Sequence, residues 1–179
     1  TYESGYGAHH RVFVLEGNGY ELKLNQQMHI SLNSNFTFNN VKVNLNTNYN
    51  ILLGAGGKLT LGNNTVVKNA NSDYYAIGLE NRNGDGGALT LLSGSKVTGN
   101  KSNVLGIIYA GCKSTIKIEG EITGNTSTAG AVRVNNSNVS VILGKNANVT
   151  GNTSKNIRPT AGTQVTIASD FTGSAGISF

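Results

Sequence analysis

The chemistry this chain can bring to a reaction rests on nine carboxylates: Asp73, Asp85, Asp170, Glu3, Glu16, Glu21, Glu80, Glu119 and Glu121. A lyase or hydrolase acting on polysaccharide needs two or three of them converging on one face, to hold Ca²⁺ or to act as acid and base. Here they are thinly spread. Asp73 and Glu80 fall in one stretch, and Asp85 opens the next. The run Asn83-Gly84-Asp85-Gly86-Gly87 is the one place where an acid sits among glycines, which suits either a cation loop or a tight connection. Glu119 and Glu121 alternate around Gly120 and are expected on one solvent face, where a pair without a third group is solubilising surface. Cys112 is the single cysteine. It follows the small stretch Tyr109-Ala110-Gly111 and reads as a buried apolar filler, with His9, His10 and His29 far back in the chain. There is no Gly-x-Ser-x-Gly elbow and no phosphate loop. The expectation is no catalytic set, no metal and no cofactor.

The elements that must position any such residues follow from composition. Gly, Asn, Ser and Thr number 24, 26, 15 and 17 of 179 residues. Val, Ile, Leu and Phe total 46, above the roughly 20% that marks disorder, so a core is possible but thin. No apolar run approaches the ~18 residues of a membrane span, and no direct membrane insertion is expected. No signal peptide is visible, so an export signal is expected outside this stretch or already removed. The formal net charge is +5. No basic cluster is interleaved with aromatics, which argues against nucleic acid as partner.

A repeat organises the last two thirds. An apolar-x-apolar triplet recurs as Leu59-Thr60-Leu61, Leu89-Thr90-Leu91, Ile116-Lys117-Ile118, Val139-Ser140-Val141 and Val165-Thr166-Ile167. A second motif follows each: Val67-Lys68-Asn69, Val97-Thr98-Gly99-Asn100, Ile122-Thr123-Gly124-Asn125, Val149-Thr150-Gly151-Asn152, and a worn Phe171-Thr172-Gly173-Ser174. A third apolar stretch closes several units, as in Ile77-Gly78-Leu79, Ile107-Ile108-Tyr109 and Val132-Arg133-Val134. Strands this short, with no helical crossover and without the two-residue Asn-Gly loops of a hairpin ladder between them, fit a solenoid whose strands pair in parallel with their equivalents one coil away. Leu59, Leu89, Ile116, Val139 and Val165 are then expected in one inward column. Asn69, Asn100, Asn125 and Asn152 hold the same place in successive units and are expected to stack as a ladder of side-chain amides at a turn. Thr98, Thr123, Thr150 and Thr172 are expected as an outward row.

Residues 1–58 are less regular and read as a cap with about two worn coils, ahead of regular repeats over 59–179 within a single domain. Tyr2, Tyr6, Phe13 and Tyr20 supply aromatics to such a cap, since a solenoid end needs covering. The strand-like Ile177-Ser178-Phe179 has no evident cap after it, and the chain reads as a fragment of a longer surface protein. Eight Asn-x-Ser/Thr sequons, at Asn35, Asn63, Asn100, Asn125, Asn135, Asn138, Asn148 and Asn152, reflect composition. An ice-binding Thr array along Thr60, Thr90, Lys117, Ser140 and Thr166 is broken by Lys117.

Segments such as Gly87-Ala88-Leu89-Thr90-Leu91, Lys96-Val97-Thr98-Gly99-Asn100 and Ile122-Thr123-Gly124-Asn125-Thr126-Ser127, followed by Gly130-Ala131-Val132, resemble the right-handed parallel β-helix repeats of bacterial cell-surface proteins. That architecture is similar to the pectate-lyase one. The resemblance covers roughly residues 54–175 and implies an all-β solenoid of about 6–8 coils. It also implies an adhesin or stalk role at the cell envelope.

The function expected from these readings is a non-catalytic, extracellular adhesin or surface-binding domain, secreted or on the bacterial cell surface. Its partner would be a host or neighbouring-cell glycan or protein, or its own copies. The alternative is a carbohydrate-binding or polysaccharide-cleaving β-helix domain. Lys68, Lys96, Lys117, Arg133, Lys145 and Lys155 all fall near expected strands or turns. Stacked coils would gather them into a basic stripe suited to an extended acidic polymer such as a uronate-containing polysaccharide.

Overall fold

The computed structural model describes residues 11–31, 33–80 and 85–178. The chain is an all-β, right-handed parallel β-helix of about 6 turns. His9, His10, Tyr2, Tyr6, Asn83, Gly84 and Phe179 lie outside the described residues.

Each coil contributes one strand to each of three parallel sheets. The first sheet has 7 strands: Val12–Glu16, Asn35–Asn39, Lys58–Leu61, Asp85–Leu91, Lys113–Ile118, Ser140–Leu143 and Gln164–Ile167. The second runs from Glu21–Lys23 through Lys42–Thr47, Val66–Ser72, Lys96–Thr98, Glu121–Thr123 and Asn148–Thr150 to Ser174–Ala175, widened by the short strands Lys101–Ser102 and Thr126–Ser127. The third has 6 strands: Met28–Ile30, Ile51–Leu53, Ile77–Leu79, Ile108–Ala110, Val132–Val134 and Ile157–Arg158.

Alternation within each strand decides which side chains are buried. On the first sheet one inward column is Phe13, Phe36, Leu59, Leu89, Ile116, Val141 and Val165. The second sheet supplies Leu22, Val43, Val67, Val97, Ile122, Val149 and Ala175. The third adds Met28, Ile51, Ile77, Ile108, Val132 and Ile157. Leu59, Leu89, Ile116, Ile122 and Val132 are 0–1% exposed. Each such side chain contributes roughly 1.5–3 kcal/mol by leaving water. Backbone hydrogen bonds run between coils, as a parallel ladder requires.

The register departs from the sequence expectation at one coil. Val141, not Val139, pairs with Ile116 and with Val165. Val139 is still buried, at the corner before the strand. The inward triplet is therefore Val141-Ile142-Leu143, and Ser140 falls opposite Thr115. The corner from Val134 to Val141 is one residue longer than that from Ala110 to Ile116, and within it Val139-Ser140-Val141 repeats the apolar-x-apolar pattern two residues ahead of the inward column.

Residues 12–57 form two coils in register with the others. Phe13 and Tyr20, expected in a cap, lie on the first of these and are exposed, Tyr20 at 77%. Phe13 stacks on Phe36, with ring centroids 5.8 Å apart. In the last coil Val165 is half-buried and Ile167 is 54% exposed.

Candidate functional site

The corner that closes the second sheet is built from the Thr-Gly-Asn motif. Thr98, Thr123 and Thr150 stand in register on the outer face. The residue after each turns left-handed: Gly99, Gly124 and Gly151 have φ of 66°, 64° and 64°. A glycine takes this conformation without the penalty a Cβ imposes. The chain then turns inward and drives an asparagine into the corner. Asn100 Nδ2 donates to Asn125 Oδ1 at 3.1 Å, Asn125 Nδ2 to Asn152 Oδ1 at 2.9 Å, and Asn152 Nδ2 to Asn156 Oδ1 at 2.9 Å. Each amide also donates to a backbone carbonyl one coil back: Asn100 to Val67, Asn125 to Val97 and Asn152 to Ile122.

Two members of the expected rows fall elsewhere. Asn69 is exposed with φ 65°, so it holds the position of Gly99 and not that of Asn100. The place of Asn100 in that coil belongs to Ala70, whose N–H donates to Asn100 Oδ1 at 3.0 Å. Thr172 is also out of its row, because Ser174 and Ala175 are the residues that pair with Asn148 and Val149. Asn100 and Asn125 are buried and fully engaged, which closes those two sequons to a glycan.

The six basic residues do not form one stripe. Lys68 and Lys96 stand on the second sheet, Lys117 on the first, Arg133 on the third, and Lys145 and Lys155 at two different corners. Three are neutralised: Lys68 by Glu21 at 2.7 Å, Lys96 by Glu121 at 3.1 Å and Lys117 by Glu119 at 2.7 Å. Spacing along the chain does not reveal this, because a corner between two residues swings them onto different sheets.

The acids are separated by the same geometry. Glu119 and Glu121 lie on either side of the corner at Gly120, each bound to a lysine of a different sheet, so they do not share a face. Glu21 accepts from Lys68 and from Asn44 Nδ2 at 2.9 Å. The hydrogen bond from Lys68 and then that from Asn44 hold its carboxyl below the usual glutamate range. Asp73 accepts from Asn103 at 2.9 Å. Glu80 accepts from the Tyr75 hydroxyl, and burial followed by this carboxylate pushes the Tyr75 phenol well above its ordinary value. Among the described residues no group of three His, Cys, Asp or Glu could hold a metal ion. Cys112 is buried, and its thiol donates to the Leu79 carbonyl at 3.3 Å. His29 lies exposed on the third sheet.

Among the described residues a concave surface on the first sheet crosses several coils, and a second lies over the second sheet from Lys23 to Lys101. The former runs across the first sheet and is lined by Asn33, Lys58, Ala88, Thr115, Asn138 and Ser140, together with Gly56, Gly86 and Gly87. Lys58, Ala88, Thr115 and Ser140 are register partners in successive strands. The groove therefore runs along the solenoid axis. Small residues leave it open, and amide, hydroxyl and ammonium groups line it. Sequence reading met Gly86, Gly87, Ala88, Asn138 and Ser140 in other settings but did not bring them together as one surface, since their alignment depends on register. The run of small residues Gly86-Gly87-Ala88 was the available signal.

No family model, curated protein or solved structure matches this chain.

Proposed function

We propose that this parallel β-helix is a non-catalytic binding domain of an extracellular surface protein, an adhesin-like module that holds an extended glycan. The observation that carries this reading is the groove over Lys58, Ala88, Thr115 and Ser140. It is shallow, runs with the coil axis and offers side-chain donors and acceptors from Lys58, Thr115 and Ser140, with Ala88 between them, on strands ~4.8 Å apart. An extended polymer can meet such a surface with many weak contacts. The resemblance of the Thr-Gly-Asn repeats to those of bacterial surface proteins supports placement at the cell surface or in the medium. Fold likeness alone carries no ligand, so the assignment rests on the groove.

The polysaccharide-cleaving alternative needs converging carboxylates. Glu21, Glu119 and Glu121 each face a separate lysine. The test is a glycan array run beside reducing-sugar and unsaturated-uronate assays on the same protein. Retention of glycans without product release is expected, with roughly tenfold weaker binding by Thr115→Trp, which fills the groove, at unchanged melting temperature. Product accumulation would instead establish the cleaving enzyme. Failure to retain any glycan would remove the reading.

A further inference from the structure

The outer face of the third sheet carries a column that runs Gly78, Tyr109, Arg133 and Arg158 in successive coils. Tyr75 packs against Gly78, where any Cβ would collide with its ring. The rings of Tyr75 and Tyr109 are parallel, 6.1 Å between centroids at 2°. The Arg133 guanidinium lies 5.8 Å from the centre of the Tyr109 ring and donates from Nη1 to the Val104 carbonyl at 3.0 Å. One of its five donors is thereby engaged. The ring and the carbonyl fix the group in place while leaving donors unused.

Arg158 is next in the column and exposed. Lys155 rises beside it: a Cβ built on Gly130 would sit 3.4 Å from Arg158 Cβ and 3.6 Å from Lys155 Cβ. Three cations thus share one end of this face. Among the described residues, none of the three has a carboxylate within ion-pair distance, unlike Lys68, Lys96 and Lys117. Glu80 is at the opposite end of the column and is held by Tyr75. Strands ~4.8 Å apart bring like charges close, and a bound oxyanion would relieve their repulsion.

We propose that Arg133, Lys155 and Arg158 form a binding site for the oxyanion groups of an acidic polysaccharide, carboxylate or sulfate. The site is separate from the groove on the first sheet and rests on the reading of the chain as a glycan-binding module. Guanidinium forks match such oxyanions in bidentate geometry. Attraction is screened over about 8 Å at physiological salt, so binding weakens as salt rises. A sugar polymer fits better than nucleic acid, because Tyr75 and Tyr109 are only 5% and 7% exposed and offer no ring face for a base to stack on.

The experiment measures binding of the whole chain to polygalacturonate, dextran sulfate, neutral dextran and single-stranded DNA at low and high ionic strength. Arg158→Gln combined with Lys155→Gln removes two cations without touching the Tyr109 stack, and Lys145→Gln is the control. At least one acidic polysaccharide is expected to bind in a salt-sensitive way, with affinity reduced roughly tenfold in the double variant and unchanged in the control. Which of the two polymers binds separates carboxylate from sulfate. Unchanged affinity in the double variant, or equal loss in the control, overturns the site. So does single-stranded DNA bound as tightly through the same residues. If neutral glycans are retained and acidic ones are not, this site falls while the proposed function stands. If no glycan binds at all, both fall.

Discussion

Asn125 donates both its side-chain amide and its backbone N–H to the same atom, Oδ1 of Asn152, at 2.9 and 3.1 Å. Asn100 makes the same double donation to Oδ1 of Asn125, at 3.1 Å for each bond. Each asparagine thus closes two bonds upward and returns bonds to the coil below. The corner of the second sheet is stitched by side chains where the main chain leaves the strand ladder.

Asn125→Ala should therefore lower stability by about 1–3 kcal/mol, the cost of orphaning buried groups on both neighbours. Asn125 itself is not left-handed, because Gly124 takes that conformation. The loss comes from the bonds and not from backbone strain. Urea unfolding measures it. Glycan retention in the folded fraction should be unaltered, and selective loss of retention would make the ladder a recognition surface.

Ile116 and Lys117 are adjacent, one fully buried and one on the outer face. Ile116→Asp should unfold the chain or destabilise it by more than about 4 kcal/mol, since the core offers the charge no partner. Lys117→Asp should cost far less, on the order of 1 kcal/mol, by losing its pair with Glu119 and meeting a like charge. Val141→Asp should resemble Ile116→Asp, because those two share a column. Circular dichroism melts rank the three variants.

The Glu21 carboxyl is held below the usual glutamate range by Lys68 first and Asn44 second. A lowered folded value means the contribution is present above the unfolded glutamate value and is lost as pH falls through the lower, folded one. Carboxyl-carbon NMR should find Glu21 titrating below an ordinary glutamate. Lys68→Met should raise it. No movement in that variant would show that the pair seen at 2.7 Å does not persist in solution.

Tyr75 provides the alkaline counterpart. Burial, then Glu80, raises its phenol above the ordinary value. A raised folded value gives stability that is complete below the unfolded tyrosine value, near pH 10, and is lost as pH rises beyond it. Ultraviolet titration should find Tyr75 resisting ionisation until the fold opens. Gly78→Val should release Tyr75 by placing a side chain where its ring lies. An earlier titration and a lower melting point are expected together.

The amino-acid sequence by itself determined the architecture. Short apolar alternations, Thr-Gly-Asn corners and the lack of any helical segment admit a parallel solenoid, because only stacked coils satisfy the backbone of strands that short. It also marked Asn100, Asn125 and Asn152 as a ladder, since a buried amide at a repeated turn finds its partner in the next turn. Tertiary structure alone decided the register. Equivalent corner residues are separated by 30, 25 and 27 positions in successive coils. Similar motifs consequently land two residues apart at Val139 and Val141, and one apart at Asn69 and Ala70. The same shifts scatter Lys68, Lys117 and Arg133 over three sheets while bringing Tyr75, Tyr109, Arg133 and Arg158 together on one. Alternation is a property of two neighbouring residues and can be read from them. Which residues become neighbours across coils depends on the path of every corner between them.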